Sequence, residues 1–116
     1  MRSFVCAFRG LGQMLITEAN ARIHAALSVM AICAGWWWDL SPLEWCAVVG
    51  AIGLVAMAEA FNTALEVLVD LVSPELHPLA GRTKDLAAGA VLCAALAAAA
   101  IGMIVFGPRL LALLKS

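Results

Sequence analysis

Glu59, Asn62, Glu66 and Asp70 recur at i, i+3, i+7 and i+11 within, or at the edge of, an apolar stretch. At about 100° per residue a helix sets them at about 0°, −60°, −20° and +20°, one narrow stripe. A charged side chain at membrane depth costs at least about 2.5 kcal/mol, so two glutamates and an asparagine kept on one face describe a built polar site. A helix end whose carboxylates reach water suits Asp70 and, in part, Glu66, but Glu59 lies seven residues deeper than Glu66. Glu18 stands four residues before Arg22, a spacing that permits an exposed ion pair, or it comes near the Glu59/Glu66 stripe. Three carboxylates at one point repel each other unless a cation lies among them. All-oxygen ligation favours Mg²⁺, which shares its remaining positions with water and phosphate.

Glu75, His77, Arg82, Lys84 and Asp85 fall within eleven residues just beyond the stripe. Lys84 can act as a point charge on phosphate, and Asp85 could cap the helix that follows. A solvated charged loop is the alternative reading of the same residues. The GxxxxGK[ST] fingerprint is absent, and Gly10-Leu11-Gly12 lacks a third glycine and a preceding strand, so a nucleotide site here is of another kind. Cys6, Cys33, Cys46 and Cys93 show no CxxC spacing and read as small core hydrophobes.

The elements that carry these residues follow from composition. Of 116 residues 65% are hydrophobic and 13% charged, with a mean hydropathy of +1.00. A soluble domain averages about 45–50% apolar and about 25% charged, so the bilayer is the expected solvent. A net charge of −1 without a basic stripe argues against nucleic-acid binding. The expectation is one all-α integral membrane domain over residues 1–116. Residues 1–22, with Phe4, Phe8, Leu11 and Leu15 on one face, read as an amphipathic surface helix. The pattern after Arg2 is not that of a secretory signal. Transmembrane helices are expected over about 23–39, 45–69 and 86–107, with a cytoplasmic loop at 70–85. Trp36, Trp37 and Trp38 fall at an interface. Ser41 or Asp39 caps the next helix, with Pro42 in its first turn. The last span stops at Pro108-Arg109. His24 reads as an interfacial hydrogen-bonder, and the alanine-rich run 86–100 as packing.

Orientation follows the basic residues. With the N-terminus inside, Arg2, Arg9, Arg22, Arg82 and Lys84 are cytoplasmic, five against the two of Arg109 and Lys115. The C-terminus is then outside.

The segment Glu59-Ala60-Phe61-Asn62-Thr63-Ala64-Leu65-Glu66-Val67-Leu68-Val69-Asp70 resembles the E-x-x-N-[ST]-A-[IL]-E-x-x-x-D signature of the prokaryotic diacylglycerol kinase family. His77, Lys84-Asp85 and the upstream Glu18-x-x-x-Arg22 follow at the family's spacing, over roughly residues 5–108. The resemblance implies a homotrimeric kinase of the cytoplasmic (inner) membrane, with active sites shared between subunits, that uses ATP and Mg²⁺ to phosphorylate a lipid alcohol. By position Glu59 matches the catalytic base and Asn62 the motif asparagine, while Glu18 and Glu66 match the metal-associated glutamates. Glu18, Glu66, Glu75, His77, Lys84 and Asp85 match the nucleotide side. Arg22 and Trp37, together with Glu59, are candidate contacts for the lipid. Residues 17–24, 41–45 and 72–79 look like the undecaprenol kinase branch. Gly81-Arg82-Thr83-Lys84-Asp85 looks more like the diacylglycerol branch, although the N-terminal segment is shorter than in that branch and Ala88 replaces a serine often found there. Undecaprenol is thus the expected substrate and diacylglycerol the alternative.

Two other classes compete on the residues alone. A small proton- or cation-coupled transporter would use Glu59 as carrier, but does not require the cluster 75–85. A structural membrane subunit explains the alanines and leaves the glutamates unexplained.

Overall fold

The computed structural model describes residues 2–116; Met1, the first residue of the expected surface helix, lies outside them. Four helices follow one another: α1, Arg2–Thr17; α2, Ala19–Trp37; α3, Pro42–Val72; and α4, Pro78–Lys115. The chain is all-α. Helices α3 and α4 are each long and apolar enough to cross a membrane, whereas α2 has 19 residues and carries Arg22 and His24 in its first turns.

The first break falls at Glu18 rather than after residue 22. Its backbone is extended (φ −110°, ψ 115°). Arg22 explains why α1 can stop there: its Nη1 donates to the carbonyls of Leu15 and Ile16 at 2.9 and 2.8 Å. A helix C-terminus leaves carbonyls without intrahelical donors, and a cationic side chain satisfies them. The Glu18–Arg22 ion pair that the spacing permits is not among those formed by the described residues.

The α2–α3 corner is closed by local chemistry. Asp39 takes φ 50°, the left-handed conformation that Asp tolerates better than most residues. Asp39 N–H donates to the Trp36 carbonyl and Leu40 N–H to the Gly35 carbonyl, the two bonds of a Schellman motif. Leu40 then folds back onto Gly35 and is buried. Ser41 caps α3 in a capping box with Glu44, and Pro42 occupies the first turn, as the sequence indicates. Trp36 meets Trp45 edge to face, with ring centroids 6.2 Å apart.

Two corrections concern α4. Its N-cap is His77, whose Nδ1 accepts from Leu79 N–H at 3.1 Å, so Asp85 lies inside the helix and caps nothing. Pro78 takes the first helical position because it has no N–H to leave orphaned. The helix also continues through Pro108 to Lys115 instead of stopping there. Proline removes the hydrogen bond to residue 104 and crowds that turn, and Arg109 bonds the neighbouring Val105 carbonyl with its own Nη1 at 2.6 Å. Side-chain donors of this kind let a membrane helix carry proline.

α4 lies along α3 in the most extensive contact of the fold. Buried Ala87 and Ala94 are seven residues apart and let the two backbones approach. A small apolar cluster of Leu40, Val48 and Val105 closes the other end. Leu92, Leu96, Met103 and Ile104 on α4, and Phe61 and Leu71 on α3, remain exposed. The four cysteines are also exposed and unpaired, contrary to the core role expected of them. Apolar surface on this scale is at home in hydrocarbon, not in water. The chain measures 58 × 36 × 22 Å, with a radius of gyration of 17.1 Å, against about 13 Å for a soluble globule of this length.

Candidate active site

Glu18, Glu59, Asn62 and Glu66 line one polar cleft of about 180 Å³, joined by Asn20, Thr63 and Ala88. Three elements build it. The α1–α2 joint presents Glu18, whose side chain makes no capping bond. The stripe on α3 presents the other three, and α4 forms the wall through Ala88 and Val91. Glu59, 6% exposed, is the buried charged residue of the described chain.

Two oxygens at the cleft lack partners. Asn62 Nδ2 donates to Glu66 Oε1 at 3.2 Å, which leaves Asn62 Oδ1 buried without a partner. Glu59 Oε1 is likewise sealed and forms no hydrogen bond, although His24 Nε2 lies only 3.2 Å from it. That contact has the distance of an ion pair without the alignment of a hydrogen bond. Polar atoms left unpartnered in a buried setting are costly and call for a ligand or a shift on binding. Among the described residues no three His, Cys, Asp or Glu side chains converge as a complete metal cage. An oxygen-only pair, Glu18 and Glu66, beside a spare amide oxygen is a donor set suited to a hard cation that keeps water and phosphate ligands.

The charged residues after α3 are only partly gathered. Lys84 Nζ donates to Asp70 Oδ1 at 2.6 Å. This bond, with the charges of Asp70 and Glu66, holds the Lys84 ammonium above its ordinary pKa. Glu75 is exposed, and its carbonyl accepts from Ser73 Oγ. His77 is spent on its cap and borders a separate shallow cleft with Ser73 and Thr83. Asp85 is exposed. These three do not line the cleft of the glutamates. Arg22 is engaged with α1, and exposed Trp37 stands at the far end of α2, about 28 Å along the axis from Glu18.

Two relationships were missed by sequence reasoning. His24 reaches Glu59, and its signal was available: it is the one Asp, Glu, Lys, Arg or His in the apolar run 23–38, and such residues at membrane depth default to function. Arg109 grips Glu44 with both nitrogens, a pairing that no local spacing announces.

Two helices long and apolar enough to cross a membrane, with a buried carboxylate in a cleft shared with two further carboxylates and an amide, describe an all-α membrane protein with a polar site. A family model described as prokaryotic diacylglycerol kinase matches residues 5–106, and the chain belongs to that family of ATP-dependent lipid kinases. It is 40% identical to the undecaprenol kinase of Bacillus subtilis over 109 residues, 94% of this chain and 89% of that protein. It is also 40% identical to a diacylglycerol kinase of Synechocystis over 113 residues, 97% of this chain and 65% of that protein. With the diacylglycerol kinase of Escherichia coli K12 the identity is 32% over 92 residues, 79% and 75% of the two chains. Membership makes the chain an enzyme, and the transporter and structural readings give way to it.

Proposed function

We propose that this chain transfers the γ-phosphate of MgATP to the hydroxyl of undecaprenol, giving undecaprenyl phosphate, at the cleft of Glu18, Glu59, Asn62 and Glu66. The observation that carries the proposal is the buried Glu59 carboxylate, set at the cleft among oxygen ligands. Undecaprenol is preferred because the match to the Bacillus undecaprenol kinase spans nearly all of both chains. Diacylglycerol is the second reading, favoured by the names of the Synechocystis and Escherichia relatives.

Phosphoryl transfer asks for charge neutralisation and alignment more than for covalent help. Glu59 faces the lipid hydroxyl and accepts its proton as the hydroxyl oxygen bonds to the γ-phosphorus and the bond from that phosphorus to the β,γ-bridging oxygen breaks, releasing ADP. Glu18 and Glu66 hold Mg²⁺, which when bound offsets charge on the phosphates. Asn62 fixes the Glu66 carboxylate through its Nδ2 bond. Lys84 exchanges part of its contact with Asp70 for phosphate, and Glu75, His77 and Asp85 serve the nucleotide side. Arg22 stands at the head of the lipid path, and Trp37 meets the far end of a long chain.

In this reading the whole chain is one membrane domain of the inner membrane. Helix α2 is a third span beside α3 and α4, α1 lies on the cytoplasmic surface, and the C-terminus is outside. A homotrimer completes the site. The exposed apolar faces of α3 and α4 supply its interfaces, and a neighbouring protomer brings the nucleotide-side residues that the single chain leaves outside its cleft.

The test is to incubate purified protein in detergent with Mg²⁺, γ-labelled ATP and either lipid. Label in undecaprenyl phosphate supports the first reading. Label in phosphatidic acid alone transfers the assignment to diacylglycerol. No label in either lipid contradicts both.

A further inference from the structure

Glu59 has one oxygen with no satisfied bond and, at contact distance from it, the ring nitrogen of His24. Oε1 is sealed from solvent and unpartnered, and the Nε2 of His24, on the facing helix α2, lies 3.2 Å away. None of the other side chains at the cleft, Asn20 and Thr63 included, bonds this oxygen. Glu18 and Glu66 are acceptors when ionised, and Asn62 spends its amide nitrogen on Glu66. Catalytic hydrogen bonds are often loose before substrate binds and tighten in the reacting complex, so a small adjustment of either side chain completes this one.

The setting of His24 favours that single bond. On its other side the ring borders an apolar groove between α2, α3 and α4, walled by Leu27, Ala31, Val55 and Ile101. The nearby hydroxyl of Ser28 is spent on the His24 carbonyl at 2.8 Å. Among the described residues the acidic side chain within ion-pair distance of the imidazole is Glu59.

We infer that His24 is a positioning residue for Glu59: Nε2–H donates to Oε1, fixes the carboxylate plane and turns the second oxygen to the lipid hydroxyl. The inference rests on Glu59 being the base. Fixing one oxygen of a carboxylate sets the direction of the other, and small errors in such alignment cost large factors in rate. It also removes the penalty of an unsatisfied buried acceptor.

Asparagine and glutamine separate this role from mere packing, because the amide nitrogen of Gln reaches the place of Nε2 and that of Asn the place of Nδ1. In detergent with MgATP and undecaprenol, His24→Ala and His24→Asn should lower kcat about 10- to 100-fold, with KM for ATP held within about twofold. His24→Gln should keep kcat within about threefold of the parent. In a Glu59→Gln background His24→Ala should cost nothing further, since a positioning residue has nothing left to position. Equal kcat losses in the Gln and Asn variants, at unchanged melting temperature, would overturn the inference. So would wild-type kcat in all three His24 variants beside an inactive Glu59→Gln, with the base reading left standing. Substantial turnover by Glu59→Gln itself would remove the base reading on which the inference rests.

Discussion

Arg109 holds Glu44 in a two-pronged grip, with Nη1 2.7 Å from Oε2 and Nη2 2.9 Å from Oε1, across 65 residues of sequence. The same Nη1 also bonds the Val105 carbonyl in the turn beside Pro108, and Glu44 at the same time completes the capping box of Ser41. One ion pair therefore ties the start of α3 to α4 at the place where proline weakens it. A planar guanidinium fits a carboxylate in this way and an ammonium does not.

The pair sets a pH window. Hydrogen bonding to Arg109, then to the Ser41 backbone, lowers the Glu44 pKa from 4.5 to about 2. A depressed folded-state pKa gives stability that is fully present above the unfolded value and is lost as pH falls through the folded one. The melting-temperature difference between the parent and Arg109→Gln in detergent should therefore be constant above about pH 5 and shrink between about pH 4.5 and 2. A difference already gone at pH 6, or undiminished at pH 2, contradicts the assignment.

Gly35 is fixed by its neighbours. A Cβ there would lie 2.6 Å from Trp45 Cη2 and 3.0 Å from Leu40 Cδ1, and both belong to the closed α2–α3 corner. Gly35→Ala should destabilise the protein by about 1–3 kcal/mol, the usual cost of overpacking. Gly50 and Gly53, where a Cβ meets nothing within 4 Å, provide the comparison. Thermal unfolding of the three alanine variants decides it, and equal losses at all three sites would remove the special role of Gly35.

In the proposed reaction Asn62 acts through Glu66, to which its Nδ2 is bonded. Removing its Nδ2 bond frees the carboxylate, so Asn62→Ala should raise the Mg²⁺ concentration needed for half-maximal activity about 10- to 100-fold, as loss of a group orienting a metal ligand does. A titration of activity against Mg²⁺ reads this directly. An unchanged half-maximal concentration would mean that Asn62 has another task.

Lys84 is poised in an exposed pair with Asp70, an arrangement that contributes little to stability. Lys84→Met should leave the melting temperature close to that of the parent and raise KM for ATP about tenfold or more, the loss of a charge on phosphate. A fall in thermal stability with unchanged KM would make the residue structural.

The periodic features were legible in the sequence and the long-range ones were not. The stripe of Glu59, Asn62 and Glu66 needs only helical geometry, and the cleft unites it with Glu18. The Ser41–Glu44 capping box is likewise local. By contrast, the place where α1 ends depends on the reach of Arg22 back to Leu15 and Ile16, and the pattern of apolar residues carries no trace of that bond. Pro108 reads as a stop because propensity weighs the lost bond without the Arg109 donor beside it. The cysteines misled because burial in a protein core and exposure to lipid select the same small apolar side chain. His24 and Glu59 lie on different helices, and their meeting follows only from the packing of α2 on α3.

The central claim is that Glu59 takes the proton from the lipid hydroxyl. Glu59→Gln keeps size and polarity while removing the base, so the decisive measurement is its turnover of undecaprenol beside its binding of a non-hydrolysable ATP analogue. Turnover should fall about 10²- to 10⁴-fold, the usual contribution of general base catalysis, with analogue affinity unchanged. Turnover within about tenfold of the parent, with the variant folded and binding nucleotide, would contradict the claim.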